Sequence, residues 1–148
     1  MKHLGDICKI NGTEIEPVWC ITGGSPCQDL SIAGKRAGLA GARSGLFMEQ
    51  VRIAKEMREE DKKNGRTGEF IRPRYLVWEN VPGAFSSNKG RDFAAVLEEI
   101  IRIVEPEAAG IDAPAKGCPT WGGYHDCMGG RWSVAWRVHD AQYWGVPQ

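Results

Sequence analysis

The chain has 148 residues and sets 19 Lys and Arg against 19 Asp and Glu, a formal net charge of zero. Its 42% hydrophobic and 26% charged content is enough to build a core and excludes a disordered or collagen-like chain. The neutral total removes the simplest argument for a polyanionic partner, although 33–74 holds eleven Lys and Arg against six acids while 92–112 holds one Arg against six acids.

The N-terminal stretch MKHLGDICKI lacks a signal-peptide core, and no later run approaches the roughly 20 apolar residues of a membrane span, so a cytoplasmic protein is expected. The five cysteines, Cys8, Cys20, Cys27, Cys118 and Cys127, are odd in number and irregularly spaced. They do not form a disulfide framework, and at least one thiol is free.

Pro17 to Thr22 is a short apolar, β-branched run that predicts a buried strand ending at Gly23-Gly24, with Cys27 in the loop beyond. From Ser44 as N-cap, Leu46, Phe47, Val51, Ile53, Ala54 and Met57 recur at helical spacing, and the helix is expected to dissolve into the polar stretch from Asp61 to Gly68. Tyr75 to Trp78 predicts a second strand that stops at Glu79-Asn80. Phe93, Val96, Leu97, Ile100, Ile101 and Val104 make one apolar helical stripe, ended by Glu105-Pro106. The Gly- and Pro-rich segment 106–130 reads as a loop or insertion, and Ser133 to Val138 as a third strand. This alternation argues for an α/β fold with a parallel sheet, where ligands gather beyond the carboxyl ends of the strands. Cys27 and Glu79 both fall there.

Taken separately, each has an ordinary reading, Cys27 as a packed loop residue and Glu79 as a strand-end cap or ion-pair partner. A thiol and a carboxylate at neighbouring strand ends also suit catalysis. GGSPCQDLS at residues 23–31, RSGLFMEQVRI at 43–53, ENVPG at 79–83, Gly5-Asp6-Ile7 and the terminal YWGVPQ at 143–148 stand in an order that resembles the DNA cytosine-5 methyltransferases, particularly phage and prophage members. The resemblance covers nearly the whole chain. It implies an incomplete Rossmann-like, S-adenosylmethionine-dependent methyltransferase domain with a mostly parallel sheet, acting on double-stranded DNA.

The resemblance further implies that Cys27 is the nucleophile that attacks C6 of a flipped cytosine, that Glu79 binds or protonates N3, and that Asn80 orients the loop or the carboxylate. Partial burial at the strand end is expected to favour the acid form of Glu79. Asp6, Ile7, Pro26 and Leu46 match positions that line the cofactor pocket. Gln28, Ser31, Lys35, Arg36 and Arg43 match a loop that closes over DNA, for which a solvated basic surface is the alternative.

Other features depart from the family pattern. The Gly-rich first motif that cradles the cofactor is expected well upstream of Asp6, and the arginines and recognition domain beyond Gln148. The chain therefore reads as a partial catalytic domain, residues 1–148, whose missing motifs a complementing polypeptide could supply. Alone, it is expected to transfer methyl groups weakly or not at all, and to expose apolar sheet edges. One rival reading is a non-catalytic remnant or binding module with a structural zinc at Cys118, His125 and Cys127, although that spacing is wider than the usual ligand pairs. Another is an unrelated thiol enzyme using His125 or His139 as base, which leaves ENVPG and YWGVPQ unexplained.

Overall fold

A computed structural model describes residues 2–24, 45–85, 87–111, 122–126 and 130–145. Within these residues the chain forms β1 (Cys20–Gly24), α1 (Leu46–Lys63), β2 (Tyr75–Glu79), α2 (Arg91–Ile101), β3 (Gly122–Asp126) and β4 (Ser133–Arg137), with short 3-10 turns between them. β1 and β2 pair in parallel with α1 between them in sequence, and β3 and β4 pair antiparallel as a separate sheet.

The expected parallel α/β arrangement thus holds for β1, α1 and β2. It fails for the third predicted strand, because β4 takes β3 as its partner instead of extending the parallel pair. β3 itself lies inside the segment read as a loop. Its sequence, GGYHD, has little of the β-branched character that marks a strand, and pairing with β4 supplies what local propensity lacks.

The first strand is also displaced from its predicted position. It begins at Cys20 and includes both glycines, and its residues alternate between exposed and half-buried where a fully buried strand was expected. Among the described residues β1 has a single hydrogen-bonded neighbour, and its outward-facing residues Cys20, Thr22 and Gly24 are exposed. The outward face of the pair leaves Tyr75 and Val77 more than half exposed, at 58% and 51%.

Two apolar clusters form the core. Phe47, Val51, Ala84 and Val96 make one, and Phe93 and Leu97 the other. Trp78 packs against both, with the Phe47 ring 5.5 Å away between centroids. Strand alternation turns Leu76 and Trp78 inward and sends Glu79 to the opposite face. The core thereby fixes the strand whose end carries the carboxylate.

Helix boundaries differ by physical detail. Gly45, not Ser44, is the N-cap of α1, and it makes no side-chain cap bond. α1 continues to Lys63 because Asp61 is not a solvated breaker: it is 1% exposed and faces the chain that leads into β2. Its carboxylate accepts from the Arg72 backbone N–H at 2.9 Å and from the Arg72 guanidinium at 2.8 and 3.2 Å, with Arg66 at 3.5 Å. One turn earlier, buried Arg58 donates to the carbonyls of Ile71 and Pro73 at 3.1 and 2.6 Å. These two side chains clamp segment 71–73 to α1 and set the start of β2.

α2 ends at Ile101, short of the predicted Val104, where bonds from Ile103 N to Ile100 O (3.2 Å) and Val104 N to Ile101 O (3.0 Å) tighten the chain into turns. Glu105 then accepts from Arg131 and from the Trp132 indole at 2.9 and 2.7 Å, tying the end of this segment to the start of β4. No helix among the described residues is long and apolar enough to cross a membrane.

Candidate active site at the ends of β1 and β2

Parallel register places Gly24 opposite Glu79, so both strands end side by side. The two glycines allow what a side chain would block. A Cβ on Gly23 would lie 2.8 Å from Gln50 Oε1, and one on Gly24 would lie 2.7 Å from Glu79 Oε2. Each glycine therefore gives its side-chain space to a polar group, Gln50 from α1 on the inner face and Glu79 from β2 on the outer face.

Glu79 is exposed among the described residues, which corrects the expected partial burial. Its strand end stands clear of the core while Trp78, one residue earlier, is held within it. Asn80 is half-buried, and its Oδ1 accepts from the Val81 backbone N–H at 2.9 Å, so it shapes the turn out of β2. Cys27 lies outside the described residues, as do Pro26, Gln28, Ser31, Lys35, Arg36 and Arg43. Cys27 follows Gly24 by three residues, and an extended chain spans at most about 11 Å over that distance.

On the α1 side of this strand end is a cavity of about 190 Å³ lined by Ile7, Ile21, Thr22, Gly23, Gly24, Leu46, Gln50 and Ile53. It gathers Ile7 and Leu46, two of the residues expected to line a cofactor pocket, with the β1 glycines. Asp6 is beside it as the N-cap of the Ile7–Lys9 turn, its Oδ1 accepting from Cys8 N at 3.0 Å.

An ionic strap fixes that turn to the helix. Arg52 donates to the Ile7 carbonyl at 3.2 Å and pairs with Glu49 and Glu56, and Glu56 accepts from the Gly12 N–H at 2.7 Å. Burial pushes the Glu56 carboxyl up, but the Arg52 guanidinium and the Gly12 N–H outweigh it and hold the group below its ordinary range.

Sequence reasoning did not single out Gln50, Arg52 or Glu56. Gln50 was detectable in principle, since it falls three residues after Phe47 and four before Ala54 on the buried stripe of α1, where an amide needs a reason. Of the zinc candidates, Cys118 and Cys127 lie outside the described residues. His125 is exposed, with its ring 5.7 Å from that of Trp132, and no group of three metal-ligating side chains gathers among the described residues. His139 is exposed beside Trp144, their ring centroids 6.2 Å apart.

A parallel strand–helix–strand unit, with a polar strand end beside a small cavity, defines an α/β protein of the kind that binds ligands at strand ends. The chain belongs to the C-5 cytosine-specific DNA methylase family, whose model matches residues 1–103. That match ends just beyond α2, so the hairpin and the terminal motif lie outside it.

Among curated proteins, the chain is 35% identical to a "DNA N-6-adenine-methyltransferase" of Escherichia phage P1, over 100% of this chain and 21% of that protein. It is 28% identical to the Type II methyltransferase M.BsuFI of Bacillus subtilis, over 99% of this chain and 26% of that protein. It is 27% identical to the Type II methyltransferase M.NgoBV of Neisseria gonorrhoeae, over 97% of this chain and 26% of that protein. The chain thus spans about a fifth to a quarter of the length of these relatives. No solved structure gives a significant match.

Proposed function

We propose that this chain carries the base-activating part of a DNA cytosine-5 methyltransferase, as part of its catalytic domain, with Cys27 as nucleophile and Glu79 as the acid at N3. The observation that supports this reading most is the Gly24 to Glu79 register, which puts the carboxylate beside the origin of the Cys27 loop.

Cytosine C5 is a weak nucleophile until the ring loses its aromatic conjugation. Addition of the Cys27 thiolate to C6 forms a carbon–sulfur bond and pushes the C5–C6 π electrons toward C5. Glu79, hydrogen-bonded to N3 or donating its proton there, draws off the charge that would otherwise accumulate on the ring. An exposed carboxylate at a strand end can reach a base turned out of the duplex, and that turning costs a few kcal/mol. Asn80 would hold the turn that aims the carboxylate. S-adenosylmethionine, when bound, supplies the methyl group that C5 accepts. Loss of the C5 proton to a base and expulsion of the thiolate then restore the ring and free Cys27.

The cavity fits part of such a cofactor. Its side-chain walls are apolar apart from Thr22 and Gln50, its volume is below the roughly 300 Å³ at which complete small-molecule sites begin, and Gly23 and Gly24 at the end of β1 form part of its lining. Ile7 and Leu46 would hold the nucleoside, with Asp6 at the rim and Pro26 contributed by the Cys27 loop. Gln28, Ser31, Lys35, Arg36 and Arg43 would contact double-stranded DNA, chiefly at phosphates, which require charge and position more than a particular side chain.

The printed name of the phage P1 relative specifies adenine, but about four-fifths of that protein lies outside the match. The thiol supports cytosine here: attack on C6 is needed to activate a ring carbon, whereas an exocyclic amine has no use for it.

Addition at C6 can be read without the cofactor. Reversible addition and elimination exchange the C5 hydrogen with water, so the chain should release tritium from DNA labelled at cytosine C5. Release that depends on Cys27 supports the reading. Absence of release at stoichiometric protein, or release that is unchanged in Cys27→Ala, contradicts it.

A further inference from the structure

We infer that the Gln50 side-chain amide is a recognition group for the cofactor, with its Oε1 accepting a hydrogen bond from an amino or hydroxyl group of the S-adenosyl ligand. This rests on the cofactor reading of the cavity at the end of β1 and names a residue to which that reading gives no role.

Gln50 is 6% exposed and stands on the buried stripe of α1 among Phe47, Val51 and Ala54. A buried amide has two donor hydrogens and a two-lone-pair acceptor to satisfy, and leaving them unpaired is costly. Among the described residues its one hydrogen bond is from Nε2 to the Val77 carbonyl, long at 3.5 Å. Oε1 accepts none. The amide lies over Gly23, with Oε1, Cδ and Nε2 all within 3.0 Å of where a Cβ would stand.

The surroundings point the unused acceptor at a ligand. Gln50 lines the cavity with Ile7, Ile21, Leu46 and Ile53, whose side chains offer no polar atom, and Thr22 is the one other polar side chain in the lining. Small-molecule sites are built this way, with apolar walls and a few placed polar groups that fix orientation. A role confined to tying α1 to β2 would account for Nε2 and Val77 but would leave Oε1 unused in the wall of the cavity. An acceptor there calls for a donor, and S-adenosyl compounds have donors on the adenine, the ribose and the amino-acid tail.

The test uses the ¹⁵N-labelled chain titrated to millimolar S-adenosylhomocysteine. The Gln50 side-chain NH₂ signals are assigned by their loss in Gln50→Met, a nearly isosteric change that suits an apolar wall. The expected result is a saturable shift of the Gln50 amide signals together with those of Gly23 and Gly24. Affinity should fall about tenfold in Gln50→Met, the scale of one lost hydrogen bond, with an unchanged unfolding midpoint. If Gln50→Met folds poorly, the Gln50 NH₂ signals are assigned from through-bond correlations in the wild-type chain, and their shift decides alone. Shifts at Gly23 and Gly24 with a stationary Gln50 amide and undiminished affinity would overturn the inference while leaving the cofactor reading intact. No shift at any cavity residue would overturn both.

Discussion

Asp61→Ala is expected to destabilise the fold strongly, by about 3 kcal/mol. Asp61 is 1% exposed and takes three hydrogen bonds from Arg72, so its removal leaves the inner face of that guanidinium and the Arg72 backbone N–H without their acceptor. Breaking a buried ion pair from one side typically costs about 3–5 kcal/mol. Arg66→Ala is the contrast: this partner is 3.5 Å from the carboxylate and its side chain is 40% exposed, so its loss should cost less than about 1 kcal/mol. Urea denaturation of the three proteins measures both values. A loss for Asp61→Ala no larger than that for Arg66→Ala would show that the clamp on segment 71–73 is unimportant.

The same residue sets an acid dependence. Hydrogen bonding from Arg72 holds the Asp61 carboxyl below its ordinary range. A depressed folded value means that the stabilisation is fully present above the unfolded value of about 4 and is lost as pH falls through the folded one. Glu56, held low by Arg52 and Gly12 against the opposing effect of burial, adds in the same direction. Thermal melts should therefore fall in midpoint below about pH 4, and Asp61→Asn should flatten that fall. An equal slope in the variant would exclude Asp61 as its source.

Glu79→Gln should reduce C5 tritium release by about a hundredfold or more, the usual scale for loss of a general acid. The change keeps shape and removes the acidic proton. Because Glu79 is exposed and lies opposite Gly24, the variant should fold as the wild type does. Gly24→Ala provides a second approach, since its Cβ would meet Glu79 Oε2 at 2.7 Å and push the flexible carboxylate aside. It should slow the release with little effect on stability. Wild-type rates in both variants would remove Glu79 from the chemistry.

The elements with strong local patterns were legible in the sequence. The apolar stripes from Phe47 to Met57 and from Phe93 to Ile101 gave both helices, and Tyr75 to Trp78 gave β2. What depended on partners distant in sequence was not. β3 has no strand signature of its own and forms through β4. Gly23 and Gly24 read as the end of a strand because nothing local shows that Gln50 and Glu79 occupy their side-chain space. Asp61 read as a helix end because its partner Arg72 is eleven residues away. At the site, the residue types at the strand ends were evident, whereas the exposure of Glu79 and the amide in the cavity wall emerged only once the strands and α1 were assembled.

The nucleophile can be identified by covalent capture. A duplex carrying 2-pyrimidinone in place of one cytosine offers an electrophilic C6 with no exocyclic amine, and a thiolate that adds there stays attached long enough to be weighed and mapped. Cys8 and Cys20 are exposed thiols that serve as internal controls. Local desolvation, followed by the Asp6 and Glu49 carboxylates, pushes the Cys8 thiol above its ordinary value and makes it a poor competitor. Peptide mass spectrometry should place the adduct on Cys27, with its yield falling in Glu79→Gln and vanishing in Cys27→Ala. An adduct on another cysteine, or none on Cys27 at stoichiometric DNA, would contradict the assignment of this strand end as the catalytic centre.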